Sequence, residues 1–508
     1  VLEAARSLGV DIDSVCGGRA ICGRCQVEVA EGEFAKHGIH STTDNVSGQG
    51  EAEDRFRERC GLGETRRLSC QAKLDSDVVI DVPASSQVHQ QVVRKPHEDH
   101  DIAIDPVVHA HFVEVPQPAL DEALGDLERL YDALASEWDL HNLSCEPAAV
   151  RELQQALATG KRQVTVAVRN GSRVIAVWPG FRDKLYGIAF DVGSTTVAAH
   201  LCDLASGEVI ASAGKMNPQI RYGEDLMSRV SYIMMNPGGE AKLIDAVRTA
   251  MNELIEEVAA EAAADVTDVV EMTVVGNPIM QHLVLGISPV ELGTAPFALA
   301  TDSSVDVRAS DIGLSINAGG YVYALPCIAG HVGADAAGVL LAEAPQRHDG
   351  VSLIVDVGTN AELLLGDAGR LLAASSPTGP AFEGAQISGG QRAAPGAIER
   401  VRIDRESHEP RFKVIGCDLW SDDPGFANEV KQVTGICGSG IIEVVAEMFL
   451  AGLLDTDGKI NASTSPRVVE DGRTLAYVLH DGDPTIHITQ NDVRAIQLAK
   501  AALHAGAR

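Results

Sequence analysis

Phe190-Asp191-Val192-Gly193-Ser194-Thr195-Thr196 and Val355-Asp356-Val357-Gly358-Thr359-Asn360-Ala361 decide the reading of this chain, because the second stretch repeats the first. Each follows an apolar run, 186–190 and 353–355, and leads into another, 197–201 and 363–365. Both therefore read as strand, tight turn, strand. The glycine lets backbone N–H groups approach an anion closely, the neighbouring hydroxyls add donors, and the aspartate at the strand end can hold Mg²⁺ directly or through water. Taken singly, Asp-x-Gly-[Ser/Thr] is ordinary hairpin chemistry. Repetition in the same strand context makes the case for two facing lobes that clamp a triphosphate. No G-x-x-x-x-G-K-[ST] occurs, so the common phosphate loop is not the device.

The paired turns resemble the phosphate-1 and phosphate-2 motifs of the superfamily of actin, the heat-shock chaperones and the sugar kinases. That resemblance implies a duplicated, ribonuclease H-like fold that binds ATP. It assigns Asp191 and Asp356 to Mg²⁺ and water, and Gly193, Ser194, Thr195, Thr196, Gly358, Thr359 and Asn360 to the phosphates.

At 508 residues the chain is too long for one ordinary core, and several domains are expected. A hydrophobic share of 45% with 22% charged residues is that of a globular protein, and aromatics at 4% leave the cores to aliphatic side chains. The net charge of −31, from 72 acidic against 41 basic residues, argues against nucleic acid and against anionic membrane surfaces as partners. No apolar run reaches the roughly 18 residues that a membrane helix needs, and a cytoplasmic protein is expected. The chain opens on Val1, and a fragment lacking its first residues is the expectation.

Of the 10 cysteines, Cys16, Cys22, Cys25, Cys60 and Cys70 crowd the start, which points to a metal site in a reducing compartment rather than a disulfide framework. Cys16, Cys22 and Cys25 share a glycine-rich loop that follows a helix over 2–10. Glycines let backbone wrap an inorganic cluster and aim N–H groups at its sulfurs. A fourth thiolate comes from Cys60, in a charged segment, or from Cys70, just before a strand-like run at 78–82. Four thiolates also suit a structural Zn²⁺, although short zinc hairpins usually show paired C-x2-C units. The phrase Leu68-Ser69-Cys70-Gln71 resembles the last-ligand context of plant-type and adrenodoxin-type [2Fe–2S] ferredoxins, which implies a β-grasp domain with Cys16, Cys22, Cys25 and Cys70 as ligands. Against that pattern the gap before Cys70 is long, read as a surface loop over 38–58, and the hairpin that should precede the helix is missing.

From 85 to 118 the chain is polar and proline-punctuated and reads as a linker. Its His97, His100, His109 and His111 read as solvated side chains of a tether rather than as a metal cluster. Helices are expected over 120–135 and 147–158, then two strands joined by Asn170-Gly171, a strong hairpin signal. Together they make a small α/β module without a catalytic constellation.

From 186 onward strands alternate with helices. Gly379, Glu383 and Gly384 lie in one glycine-rich phrase, Gly438, Ser439 and Gly440 in another that opens a helix over 441–454. Glycines at a helix start admit a phosphate or nucleoside to the N-terminal dipole, or else allow tight helix–strand packing. Glu383 suits a carboxylate that orients water or an outer partner of magnesium.

Here the resemblance extends to nearly the whole chain. Val275-Gly276-Asn277-Pro278, Pro326-Cys327-Ile328-Ala329-Gly330, Gly379-Pro380-Ala381-Phe382-Glu383-Gly384-Ala385 and Gly435-Ile436-Cys437-Gly438-Ser439-Gly440, behind an N-terminal cysteine cluster, are similar to phrases of the reductive activators of corrinoid proteins. The expected architecture is multidomain α/β: a [2Fe–2S] ferredoxin-like domain at 1–84, a linker at 85–118, a small α/β domain at 119–183 and an actin-like ATPase domain at 184–508. The late Gly-Gly turn for adenosine is not evident, and the chain stops at Arg508 inside a helix over 493–505, so either the end is missing or nucleoside binding is altered.

The resemblance implies delivery of one electron to a cobalt cofactor that has slipped from Co(I) to Co(II), with an upstream electron donor and a homodimer. Plant-type clusters lie near about −400 mV, and Co(I) is harder to reach. A gap of about 200–300 mV for one electron costs on the order of 5–7 kcal/mol, within reach of ATP hydrolysis. A small-molecule kinase would explain the turns but not the cysteines. An electron-transfer module or redox sensor would explain the cysteines but not the turns. An activator of a radical dehydratase shares the ATPase design, but that class resembles a four-iron cluster held between subunits.

Overall fold

A computed structural model describes residues 1–7, 10, 12, 20, 25–83, 86, 103–121, 123–223, 225–358, 360–384, 387–391, 393–462 and 465–508. Packing divides the chain into two compact units, Val1–Val93 with Glu343–Arg508, and Arg94–Ala342.

The unit Arg94–Ala342 holds two sheets. The smaller orders its strands Val108–Glu114, Gln163–Arg169, Arg173–Pro179 and Ser144–Cys145. Asn170 and Gly171, at φ 50 and 61, make the tight turn that the dipeptide announces. The strand Val108–Glu114 is a correction, since its histidines and flanking prolines read as tether. Pairing with Gln163–Arg169 and full burial of Val108 and Val113 make it an edge strand of the sheet. Helices Asp126–Trp138 and Pro147–Thr159 cover one face through Leu130, Leu134, Leu153 and Leu157. The first begins after Gly125 rather than at 120, which leaves Leu120 and Leu124 exposed ahead of it.

The larger sheet orders Val209–Met216, Thr196–Asp203, Tyr186–Val192, Val269–Gly276, Tyr321–Ala324 and Val305–Arg308. Tyr186–Val192, Val269–Gly276 and Tyr321–Ala324 run parallel at its centre. Helix Gly239–Glu261 makes the crossover and packs on the strands beside it. The two sheets are locked by Arg169, which bonds Glu271 at 2.8 and 2.9 Å and Asp306 at 2.7 and 2.8 Å and lies 4.5 Å from the Tyr321 ring centre. Burial pushes the Glu271 carboxyl up, and Arg169 opposes the shift.

In the other unit, the N-terminal segment sets Arg66–Leu68, Gln26–Val29 and Ile80–Asp81 in one antiparallel sheet around Val27, Phe56 and Leu68. The expected surface loop over 38–58 runs into the helix Glu51–Cys60. Its sequence is charged enough to hide it, but Glu51, Glu53 and Asp54 favour its first turn and Gly61 in the left-handed conformation ends it. The C-terminal segment places three strands, Ser352–Val357, Ala361–Gly366 and Leu371–Ser376, under helix Gln490–Ala507, longer than the expected 493–505. Two further three-stranded sheets enclose a core of Ile398, Val401, Met448, Tyr477 and Ile488 with helix Gly438–Leu450. Among the described residues no helix is long and apolar enough to cross a membrane.

Candidate functional site

The antiparallel register that sets Gln26 against Leu68 brings Cys25 and Cys70 together, and the Ser69 N–H donates to the Cys25 carbonyl at 2.8 Å. The Cys25 thiol donates to the Cys70 sulfur, which draws Cys70 down to about 6 and pushes Cys25 up. Gln71 Nε2 lies 3.6 Å from the same sulfur. Two thiols brought together in this way form a donor set that suits a thiophilic metal. Behind them Glu53, about 1% exposed, accepts from Arg67 Nε at 3.1 Å, from Arg67 Nη2 at 2.8 Å and from the Leu68 N–H at 2.7 Å. This pair bolts helix Glu51–Cys60 to the strand that leads to Cys70. Cys16 and Cys22 lie outside the described residues, as does the side chain of Cys60.

The first turn closes where the central strand Tyr186–Val192 ends, with the Gly193 N–H donating to Thr196 O at 2.9 Å. A Cβ at Gly193 would lie 2.7 Å from that oxygen, which accounts for the glycine. Asp191 is half-buried at the strand end. The Gly193 carbonyl accepts from Asn217 Nδ2 at 2.8 Å, the Ser194 carbonyl from Arg229 Nη2, and the Thr195 carbonyl from the Asn217 N–H at 2.8 Å. At the same end of the sheet, Asn217 Nδ2 and Arg229 reach Met280, and Asn277 caps helix Pro278–Leu285. A Cβ at Gly276 would meet Val192 O at 2.6 Å, and one at Gly333 would meet Gly276 O at 2.5 Å. Gly333 lies in the phrase that follows the third parallel strand. The turn, 275–278 and 326–335 therefore gather at the carboxyl ends of the parallel strands, where open α/β sheets take ligands.

The second turn follows the edge strand Ser352–Val357. Asp356 is exposed and stands directly across from Glu362, a pairing of like charges that a hard cation would relieve. The Gly358 N–H donates to Asn360 O at 2.9 Å and Thr378 Oγ1 donates to Gly358 O at 3.0 Å. Glu383 Oε1 lies 4.0 Å from where a Cβ of Gly358 would stand, so this carboxylate borders the turn. Thr359 lies outside the described residues. Gly379 and Gly384 have φ of 73 and 88, which glycine adopts without strain. Gly438 and Gly440 are closely packed: a Cβ would lie 1.9 Å from Phe382 O and 2.4 Å from Ile398 O respectively. Ser439 stands between them, its hydroxyl 3.3 Å from Cys437 Sγ. Sequence reasoning passed over Asn217, Arg229 and Glu53, whose partners lie 24, 35 and 14 residues away, and Glu362, which strand pairing sets across from Asp356.

The paired thiols and the repeated Asp-x-Gly turns lie in segments that match known domain families. Residues 1–75 match the family model for the 2Fe-2S iron-sulfur cluster binding domain, 97–184 the RACo linker region, 186–347 the RACo middle region, and 350–508 the C-terminal domain of RACo, the ASKHA domain. A solved reductive activator for corrinoid, iron-sulfur protein is 31% identical, with a TM-score of 0.71 over 100% of this chain and 80% of that one. The corrinoid activation enzyme RamQ of Eubacterium limosum is 28% identical over 100% of this chain and 79% of its own. The [Co(II) methylated amine-specific corrinoid protein] reductase of Methanosarcina barkeri is 26% identical over 63% of this chain and 58% of its own. The chain belongs to the family of reductive activators of corrinoid proteins, with an N-terminal ferredoxin-type domain and a C-terminal actin-like domain.

Proposed function

We propose that this chain couples ATP hydrolysis to the passage of one electron to Co(II) in a corrinoid protein, regenerating Co(I) for methyl transfer. The observation that carries the reading is the strand register that brings Cys25 and Cys70 together, in the same chain as the repeated Asp-x-Gly turn. Cys16, Cys22, Cys25 and Cys70 would hold a [2Fe–2S] cluster, and Asp191 and Asp356 would hold Mg²⁺. When bound, these groups supply a one-electron carrier and neutralisation of phosphate charge.

The chain's own residues set the conditions. Gln71 donates toward the Cys70 sulfur, and the Glu53–Arg67 pair fixes the strand that presents it. Ser194, Thr195, Thr196, Thr359 and Asn360 offer hydroxyl, amide and N–H donors to phosphate oxygens, and Gly193 and Gly358 let the backbone come close. Asp191, Asp356 and Glu383 orient water for attack on the terminal phosphate. Gly379, Gly384, Gly438, Ser439 and Gly440 belong to the nucleotide-facing backbone in the same reading. The working form is a homodimer fed by an upstream electron donor.

Anaerobic purification with iron and sulfide analysis tests the first half. About two of each per chain, with the absorption of a plant-type cluster, is expected. A chain without iron, or one with four irons shared between two subunits, contradicts the assignment.

A further inference from the structure

We propose that Asn217 and Arg229 are positioning residues that fix which way the peptide groups of the first turn face, and so make its phosphate-binding surface. The inference rests on the nucleotide reading above and deepens it. In a trans peptide the C=O and the following N–H point in opposite directions. Asn217 Nδ2 holds the Gly193 carbonyl at 2.8 Å, Arg229 Nη2 holds that of Ser194, and the Asn217 N–H holds that of Thr195 at 2.8 Å. The N–H groups of Ser194 and Thr195 are therefore turned to the side away from this cradle. Successive N–H groups presented on one side form an anion-binding concavity.

The cradle is itself fixed. Asn217, Gln219 and Arg229 are each 0% exposed. Arg229 Nε donates to Gly223 O at 3.0 Å and Nη1 to Gln219 Oε1 at 3.1 Å, so the guanidinium cannot swing off the turn. A cation on the Ser194 carbonyl also polarises that peptide and strengthens its N–H as a donor. Asn217 has two separable jobs, because its Oδ1 accepts the Gln219 N–H at 3.0 Å and caps a short helical turn, while its Nδ2 alone reaches Gly193.

That separation gives the test. Asn217→Ser keeps a capping oxygen but no donor that reaches Gly193, and Arg229→Lys keeps the charge while shortening the fork. In the full chain, Mg-ATP affinity by calorimetry is expected to fall at least tenfold in N217S and severalfold in R229K. Amide exchange at 194–195 is expected to be slowed by Mg-ATP in the native chain and not in N217S. Melting temperature and the cluster absorption spectrum report folding separately, so loss of affinity in a chain that melts normally is a positioning effect. Native affinity and native protection in N217S overturn the inference while leaving the nucleotide reading in place. If saturating Mg-ATP gives the native chain no protection at 194–195, the reading fails and the inference with it.

Discussion

The first turn grows out of the middle of a six-stranded sheet, whereas its repeat grows out of the edge of a three-stranded one. Ile188, Phe190 and Val192 behind the first are at most 2% exposed, while Leu353, Val355 and Val357 before the second are 53, 37 and 44% exposed. The same short motif thus sits on two scaffolds of different burial. What the motif encodes is the turn chemistry; how firmly that chemistry is held depends on neighbours far away in sequence.

Substitutions at matched positions can break that comparison. The largest effect is expected for Phe190→Ala, which removes a fully buried ring and should cost about 3–5 kcal/mol in chemical denaturation. Leu353→Ala on the exposed strand should stay within about 0.5 kcal/mol. Comparable losses at both sites would show that the edge strand is covered in solution. Next come Asp191→Asn and Asp356→Asn, each expected to lower ATP hydrolysis on the order of 100-fold with the cluster spectrum intact. A loss in only one of them would confine the chemistry to one turn. Smallest is the glycine pair. Gly193→Ala drives a Cβ to 2.7 Å from Thr196 O and should cost about 1–3 kcal/mol. Gly358→Ala meets nothing nearer than 3.4 Å and should be neutral or stabilise by about 0.4–1 kcal/mol.

The division between legible and hidden features follows the same line. Local chemistry could be read directly: the two turns, the Asn170-Gly171 hairpin and the glycine-rich phrases all announce themselves within a few residues. Long-range partners could not, because nothing near Gly193 in sequence signals Asn217 or Arg229, and nothing near Glu53 signals Arg67 as a buried partner. Composition also misled. Histidines and prolines around 108–114 hid a strand, and a highly charged 51–60 hid a helix whose Phe56 is buried. The glycines at 438 and 440 were open to two readings, and the carbonyls at 1.9 and 2.4 Å from a Cβ add a packing demand that the sequence alone does not reveal.

The central claim is energetic coupling between nucleotide and redox chemistry in one chain. Its direct measurement is the anaerobic formation of Co(I), followed by absorbance, in a Co(II) corrinoid protein mixed with the reduced chain and Mg-ATP, Mg-ADP or no nucleotide. Co(I) accumulating with ATP and stalling in the other two mixtures is the predicted result. Equal rates and equal extents in all three would contradict it.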